Sequence, residues 1–201
     1  MDKRPSEELL QAVARGDELA FEELVRRYQL QLINFFFPLV WDRHMAEDLA
    51  QEVFVRLYTS AAGYQPTAPF TSYLYRIARN CWIDQRRQTK SQRLERSIDA
   101  GDEETGAALR DALSVLVEQP EESARKDEFV KGLVGAIDSL PTDHKVVFIL
   151  SQVEGLRYKE ISDVLDIPEG TVKSRMHAAL KKIREELQSQ ARRSKPSGPA
   201  Q

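Results

Sequence analysis

Side chains that can hydrogen-bond to DNA bases recur at helical spacing near the end of the chain. In a predicted helix over 169–187, a 3.6-residue period separates an apolar side from a polar and basic side. The residues on the polar side or beside it are Thr171, Lys173, Ser174, Arg175, His177 and Lys181. Such a helix fits the major groove, where lysine, serine and histidine reach base edges and arginine binds a base or a phosphate. The pattern predicts a recognition helix.

The elements that would position this helix are also visible in the sequence. A helix over 157–165 precedes it, and Asp166 to Gly170 supply a tight turn, with Pro168 suited to a helix start. The residues predicted to pack inward from the second helix are Val172, Met176, Ala179, Leu180 and Ile183. The alternative is an ordinary helical hairpin with a solvated basic face, and a lone histidine such as His177 does not decide between the two.

A second basic segment mixes arginines with aromatic residues. A helix from about residue 71 to 88 turns arginines outward and carries aromatic side chains at the edges of that face, after a loop over 63–70. The arginines are Arg76, Arg79, Arg86 and Arg87, and the aromatic residues in the helix or its loop include Tyr64, Phe70, Tyr73, Tyr75 and Trp82. Arginines that hold phosphates and aromatics that stack on bases are typical of single-stranded DNA binding. The alternative is that Phe70, Tyr73 and Trp82 are core aromatics, and we expect at least one of them to be.

The helix predicted over 46–58 has the opposite charge. Glu47, Asp48, Gln51 and Glu52 surround Val55 on its outer face, which suits a basic helical protein partner better than DNA. A solvated charged face is the alternative, and the residues alone favour it.

Composition limits the other functions. The net charge of -3 hides two basic segments, 76–96 and 171–195, on either side of an acidic one. The single cysteine, Cys81, and three widely spaced histidines predict no disulfide, metal or cofactor. No apolar run is long enough to span a membrane, and no signal peptide is recognised, so we expect a cytoplasmic protein.

Helical patterns dominate and no strand pattern is found, which predicts an all-α fold. Helices are expected over 6–16, 17–36, 46–58, 71–88, 124–140, 143–152, 157–165 and 169–187, with Pro38 ending the second and a short further helix over 109–116 left open. We expect two small helical domains joined by a flexible acidic linker. The predicted boundaries are 1–90 for the first domain, 91–123 for the linker, 124–189 for the second domain and 190–201 for a disordered tail.

Three motifs in order resemble the extracytoplasmic-function (ECF) sigma factors of bacterial RNA polymerase. They are AEDLAQEVF at 46–54, PFTSYLYRIARN at 69–80 and GTVKSR at 170–175. The resemblance covers about 17–90 and 125–187, the second and fourth conserved regions of the family. The chain departs from the family in having Tyr73 where many relatives have tryptophan, and its run Phe35-Phe36-Phe37 has no assigned meaning.

The resemblance implies a non-enzymatic promoter-recognition subunit that binds core RNA polymerase and promoter DNA, with an anti-sigma factor as a further partner. It implies that Asp48, Gln51 and Glu52, with Val55 among them, contact the β' clamp helices, and that the second domain meets the β flap. The loop before Phe70 and the helix through Asn80 and Arg87 match the part that melts and reads the minus-ten element. Lys173, Ser174, Arg175 and His177 match the positions that read the minus-thirty-five element.

Two other classes of protein are weighed against this one. A LuxR-type transcriptional activator also has a helix-turn-helix beginning with a similar motif, but its first half would contain a sensor, and a receiver would show alternating strands and helices. A small helical enzyme or an adaptor is the second rival. The sequence offers no nucleophile–base pair or phosphate-binding loop for catalysis, and an adaptor would not need two basic faces.

Overall fold

The computed structural model describes residues 4–95 and 132–193, with side chains described for 4–89 and 132–190, and every element in these ranges is a helix. The first group is α1 (Ser6–Val13), α2 (Glu18–Val40), α3 (Arg43–Ser60), a 3-10 turn (Ala61–Gly63) and α4 (Phe70–Glu95). The second is α5 (132–138), α6 (Thr142–Gln152), α7 (Tyr158–Leu165) and α8 (Glu169–Arg193). The all-α prediction is confirmed. The possible helix over 109–116 and most of the predicted linker and tail lie outside the described residues.

Aspartate caps set the starts of two long helices in the first group. The Asp17 carboxylate accepts a hydrogen bond from the Ala20 amide at 3.0 Å, and the Asp42 carboxylate accepts one from the Met45 amide at 2.9 Å. Each satisfies an amide that the helix itself leaves unpaired. The two carboxylates therefore stabilise the first turns of α2 and α3.

Helix α2 does not end before Pro38, and this prediction was wrong. Pro38 lies inside the last turn, and α2 continues to Val40. Trp41 then adopts a left-handed conformation (φ 54°), and its amide donates to the Phe37 carbonyl at 2.8 Å. Proline at this position lacks the amide that would bond to the Asn34 carbonyl and crowds that carbonyl, yet the helix continues for two more residues, and Phe37 beside it is buried.

The three consecutive phenylalanines have a structural role. Phe35, Phe36 and Phe37 are all buried, and the Phe35 ring packs edge-on against Tyr75 of α4 with the centroids 5.4 Å apart. Phe37 packs against Trp41 at 5.6 Å. The three phenylalanines therefore pack α2 against α4 and hold Trp41 against the last turn of α2.

We expect Phe35→Ala to lower the free energy of unfolding by about 3–5 kcal/mol, because a fully buried ring is lost and a cavity remains. Urea denaturation measures this change. Leu30→Ala removes a side chain of the same helix that is 58% exposed, and should change stability by at most about 0.5 kcal/mol. Equal effects of the two substitutions would contradict the described core.

The second group forms a helix-turn-helix. Asp166 ends α7 in a left-handed conformation (φ 53°), and the Ser162 hydroxyl donates to the Ile167 carbonyl at 2.6 Å across the turn. Val172, Met176, Ala179 and Ile183 of α8 are buried as predicted, but Leu180 is 43% exposed. A separate small cluster of Ala136, Leu140, Ala179 and Ile183 packs α5 against α8.

Candidate nucleic-acid and protein interfaces

The acidic face of α3 is open to solvent. Asp48, Gln51, Glu52 and Val55 are all exposed, Val55 by 56%. The Glu52 carboxylate accepts a hydrogen bond from Arg56 at 2.7 Å, and Arg56 also donates to Asp84 of α4 at 2.8 Å. Both hydrogen bonds raise the pKa of Arg56, and the bond to Asp84 has the larger effect. Glu52 is thus partly neutralised within the chain, which leaves Asp48 as the more available charge.

The basic face lies on α4, the helix next to α3. Arg76, Asn80, Arg86 and Arg87 are exposed and Arg79 is half-buried. The Arg86 guanidinium lies over the Trp82 ring, 5.0 Å from its centroid, and such stacking restricts a long side chain. Trp82 is itself buried, which confirms that at least one of the predicted aromatics belongs to the core. The arrangement can hold several phosphates along one strand.

The loop before α4 is tied to the core at its end. Phe70 is buried against Tyr28, with ring centroids 5.0 Å apart, and its amide donates to the Glu7 carboxylate at 2.9 Å. Tyr64 stacks at a tilt on Tyr73 at 5.0 Å, and the Tyr73 hydroxyl is 2.8 Å from the hydroxyl of Ser60. The role of Glu7 was not predicted, because it lies 63 residues from its partner.

Two buried hydroxyls near the start of α4 have no hydrogen-bond partner within the described part of the chain, those of Tyr64 and Ser72. Burial, and then the negative charge of Glu7, raise the pKa of Tyr64, so this phenol stays protonated. A buried polar group without a partner carries a desolvation cost, which a ligand can relieve. The loop therefore offers spare hydrogen-bonding groups as well as aromatic surface.

The side chains that were predicted to contact DNA lie on the outer side of α8 or at its margins. Lys173, Ser174, His177 and Lys181 are exposed, and Thr171 and Arg175 are half-buried. The Lys173 ammonium forms an ion pair with Glu169 at 2.9 Å, which raises its pKa, and Arg175 is held by Asp143 of α6 at 2.9 Å. The arginine is thereby fixed near the start of α8, and the exposed lysine and histidine are one turn apart on the open side.

The two helix groups contact one another. Helix α7 packs along α4, and α6 packs against α2, within one continuous set of buried apolar residues. The Tyr75 hydroxyl of α4 donates to the carboxylate of Glu154, which follows α6. No sequence signal predicted this contact, since the partners are 79 residues apart and Tyr75 was assigned to the edge of the basic face.

Other kinds of site are not found in the described ranges. Residues 4–95 and 132–193 contain no group of three or more histidine, cysteine or acidic side chains arranged to hold a metal ion. Within the same ranges, no helix combines the length and the apolar composition that crossing a bilayer requires.

Comparisons with known proteins give the same two regions. The family models for sigma-70 region 2 and sigma-70 region 4 match residues 24–92 and 132–183. The RNA polymerase sigma-H factor of Pseudomonas aeruginosa is 31% identical, covering 94% of this chain and 96% of its own. The ECF RNA polymerase sigma factor SigW of Bacillus subtilis is 30% identical, and the alignment covers 89% of this chain and 94% of SigW. The ECF RNA polymerase sigma-E factor of Escherichia coli K12 is 31% identical, and the alignment covers 92% of this chain and 95% of that factor.

Solved structures agree on the fold. CnrH in complex with the cytosolic domain of CnrY superposes with a TM-score of 0.66 at 21% identity, covering 92% of this chain and 97% of that one. The sigma factor RpoE of Bartonella quintana, in complex with the anti-sigma factor NepR, superposes with a TM-score of 0.63 at 20% identity, and the superposition covers 84% of this chain and 96% of that one.

The LuxR-type alternative is not favoured, because both family models are those of sigma factors and the first helix group contains no sensor with strands among its described residues. The relatives match nearly the whole chain at 30% identity or more. This chain belongs to the ECF sigma factors, the RNA polymerase subunits that direct transcription initiation to specific promoters.

Proposed function

We propose that the acidic face of α3 binds core RNA polymerase at the β' clamp helices. The observation that carries this is the contrast between two neighbouring helices: α3 exposes Asp48, Gln51 and Glu52 around Val55, and α4 exposes arginines. An acidic surface with an apolar centre complements a basic protein helix and repels DNA phosphates. One small domain can thus bind polymerase and promoter at the same time.

The basic face of α4 and its loop form the proposed minus-ten site. Arg76, Arg79, Arg86 and Arg87 would neutralise phosphates while Asn80 and the tyrosine pair Tyr64 and Tyr73 contact unstacked bases. The unpartnered Tyr64 and Ser72 hydroxyls give a flipped base hydrogen-bonding groups to meet. Phe70 is too deeply buried to stack on a base in this conformation, so its part is to hold the loop against the core.

The outer face of α8 forms the proposed minus-thirty-five site. Lys173, Ser174 and His177 would reach base edges, whereas Thr171, Arg175 and Lys181 at its margins suit phosphates. The fixed position of Arg175, bonded to Asp143, favours a backbone contact that sets the depth of the helix in the groove. We assign the contact with the β flap to the same second helix group.

Partners beyond the promoter follow from the relatives. CnrH and the Bartonella RpoE were solved with CnrY and with the anti-sigma factor NepR, and we propose that this chain also has an anti-sigma factor. A chain with these partners has no catalytic step of its own and works in the cytoplasm, where RNA polymerase works.

Pull-down and run-off transcription test the proposed function together. The purified chain should co-purify with core polymerase, and the reconstituted holoenzyme should start transcripts at a subset of a promoter library. Failure to bind core polymerase would remove the basis of the assignment.

We expect Arg86→Ala with Arg87→Ala to weaken promoter binding by the holoenzyme at all sequences alike. Two phosphate contacts are lost, so the slope of log binding constant against log salt should fall by about two. Filter binding between low and moderate salt measures the slope. Arg26→Ala with Arg15→Ala removes two exposed arginines outside α4 and should leave the slope unchanged; a slope unchanged in the α4 variant as well would contradict the assignment.

A further inference from the structure

Helix α4 begins after a residue that cannot cap it. Pro69 has no side-chain hydrogen-bond acceptor, whereas α2 and α3 are each capped by the aspartate that precedes them. The first amides of a helix have no partner within the helix and must find one elsewhere. The start of α4 is also the end of the loop over 63–70, which belongs to the proposed minus-ten site. The group that caps α4 therefore fixes one end of this loop.

The cap is supplied by α1, the first helix of the chain. The carboxylate of Glu7, which is half-buried, accepts a hydrogen bond from the Phe70 amide at 2.9 Å. A carboxylate at a helix N-terminus makes a charge-assisted bond and complements the positive end of the helix dipole. Glu7 thus takes the part in α4 that a neighbouring aspartate takes in α2 and α3.

The residue before Glu7 reaches Phe70 by a second route. The Ser6 hydroxyl is 2.8 Å from the Tyr28 hydroxyl, and the Tyr28 ring packs against the Phe70 ring with the centroids 5.0 Å apart. Ser6 and Phe70 are both buried. Two consecutive residues of α1 therefore hold Phe70, one at its backbone amide and the other, through Tyr28, at its ring.

Helix α1 is itself fixed by the core and not by the loop. Leu9 and Leu10 are fully buried, and α1 packs along α2. It also contacts the 3-10 turn Ala61–Gly63, which leads into the loop. A packed helix thus touches the loop at both ends, and side chains held by such an element keep their positions better than those on a free loop.

The two hydroxyls without partners stand at the two ends of this loop. Tyr64 follows the 3-10 turn and Ser72 lies in the first turn of α4, and both hydroxyls are buried. The charge of Glu7 contributes, after burial, to the raised pKa of Tyr64, so the carboxylate and the phenol lie near one another. Hydrogen-bonding groups distinguish one ligand from another only when their positions are held to within a fraction of an ångström.

We propose that Glu7 is a positioning residue for base recognition at the minus-ten element, and that it fixes the start of α4 so that the Tyr64 and Ser72 hydroxyls meet one flipped base. The proposal rests on the proposed function in assigning the loop to that element. Glu7 acts through the Phe70 amide and not by contact with the base. The family model for sigma-70 region 2 begins at residue 24, so α1 lies outside the part of the chain that it matches.

Amide hydrogen exchange in the free full-length chain tests the cap without DNA. In Glu7→Ala the Phe70 amide loses its acceptor and should exchange faster by roughly 2- to 30-fold, the factor that corresponds to the loss of a helix cap. Glu7→Gln keeps an acceptor oxygen of the same reach and should retain most of the protection. Glu8→Ala removes the exposed neighbouring glutamate of the same helix and is the matched control.

Selection by the reconstituted holoenzyme from promoters randomised in the minus-ten element tests the positioning. Glu7→Ala should lower the preference for the favoured base at one position by roughly 2- to 30-fold. Core binding and the salt dependence of promoter binding should not change, because the acidic face of α3 and the arginines of α4 are intact. Glu7→Gln should restore most of the preference. A purely structural role would instead weaken core binding and all promoter positions together.

Two results would overturn the positioning role. One is Phe70 exchange that is equal in Glu7→Ala and Glu8→Ala, and the other is faster exchange in Glu7→Ala with an unchanged base preference. Failure of the proposed function looks different, because the unmodified holoenzyme would then show no preference at any minus-ten position. That result would reject the minus-ten assignment and the positioning role with it, whatever the exchange rates of the free chain.

Discussion

Asp48→Arg combined with Glu52→Arg should abolish detectable binding to core polymerase, with a loss in affinity of at least roughly 100-fold. Both side chains are exposed on α3 beside Val55, and reversal replaces attraction to a basic partner with repulsion. Close charge pairs at a protein interface can have coupling energies of about 1.5–7 kcal/mol. Fluorescence anisotropy of the labelled chain titrated with core polymerase measures the affinity.

The two single variants should differ. Glu52 is already paired with Arg56, which in turn is bonded to Asp84, so part of its charge is neutralised. Asp48→Arg alone should therefore have the larger effect of the two.

Glu8→Arg with Glu22→Arg makes the same change in net charge at exposed positions of α1 and α2, and is the matched control. It should bind core polymerase nearly as the unmodified chain does. If the α3 double variant also retains unaltered binding, the docking face has been assigned to the wrong surface.

Lys173→Ala and His177→Ala should each change the preference for upstream promoter sequence without affecting core binding. Each side chain is exposed on the outer side of α8, and a lost base contact costs about 1–3 kcal/mol of discrimination, or roughly 5- to 150-fold. Lys173 must exchange its ion pair with Glu169 for DNA, so its effect should lie toward the lower end. Selection from a randomised upstream element by the reconstituted holoenzyme measures the preference.

Lys182→Ala provides the comparison for these variants, because it removes an exposed charge from the same helix at the flank of the reading face. It should weaken binding to all upstream sequences alike. A selected sequence that is identical for all three variants would show that α8 does not read bases, and loss of core binding in the alanine variants would indicate misfolding.

The helix-turn-helix could be predicted in detail because its signals are local. Turn residues, charge and a 3.6-residue period all lie within 157–187, and the structure places the predicted outer residues outside. Leu180 is the exception: it was predicted inward but is 43% exposed. It lies at the margin of the stripe defined by Val172, Met176 and Ala179, where periodicity alone does not decide burial.

Tertiary packing overrode local signals in the first helix group. Proline predicted the end of α2 before Val40, but burial of the neighbouring phenylalanines and the left-handed Trp41 allow another half turn. Tyr75 was predicted at the edge of the basic face, yet Phe35 and the second helix group bury it.

The contact between the helix groups could not be predicted from the sequence. Its polar partners, Tyr75 with Glu154 and Trp41 with Asp138, are 79 and 97 residues apart. In the sequence, Glu154 after α6 and Trp41 after α2 look like ordinary surface residues. The acidic segment between the basic ones suggested two units held apart, whereas the described residues pack the two groups together.

The central claim is that the chain reads promoters only as part of the polymerase. Run-off transcription and footprinting on one selected promoter test it, with the chain alone, core polymerase alone and the two combined. We expect protection of both promoter elements and a specific transcript only in the combined sample, since neither small DNA-binding face has enough contacts by itself. Specific protection of both elements by the chain alone at moderate salt, or no specific transcript from the combined sample, would contradict the account.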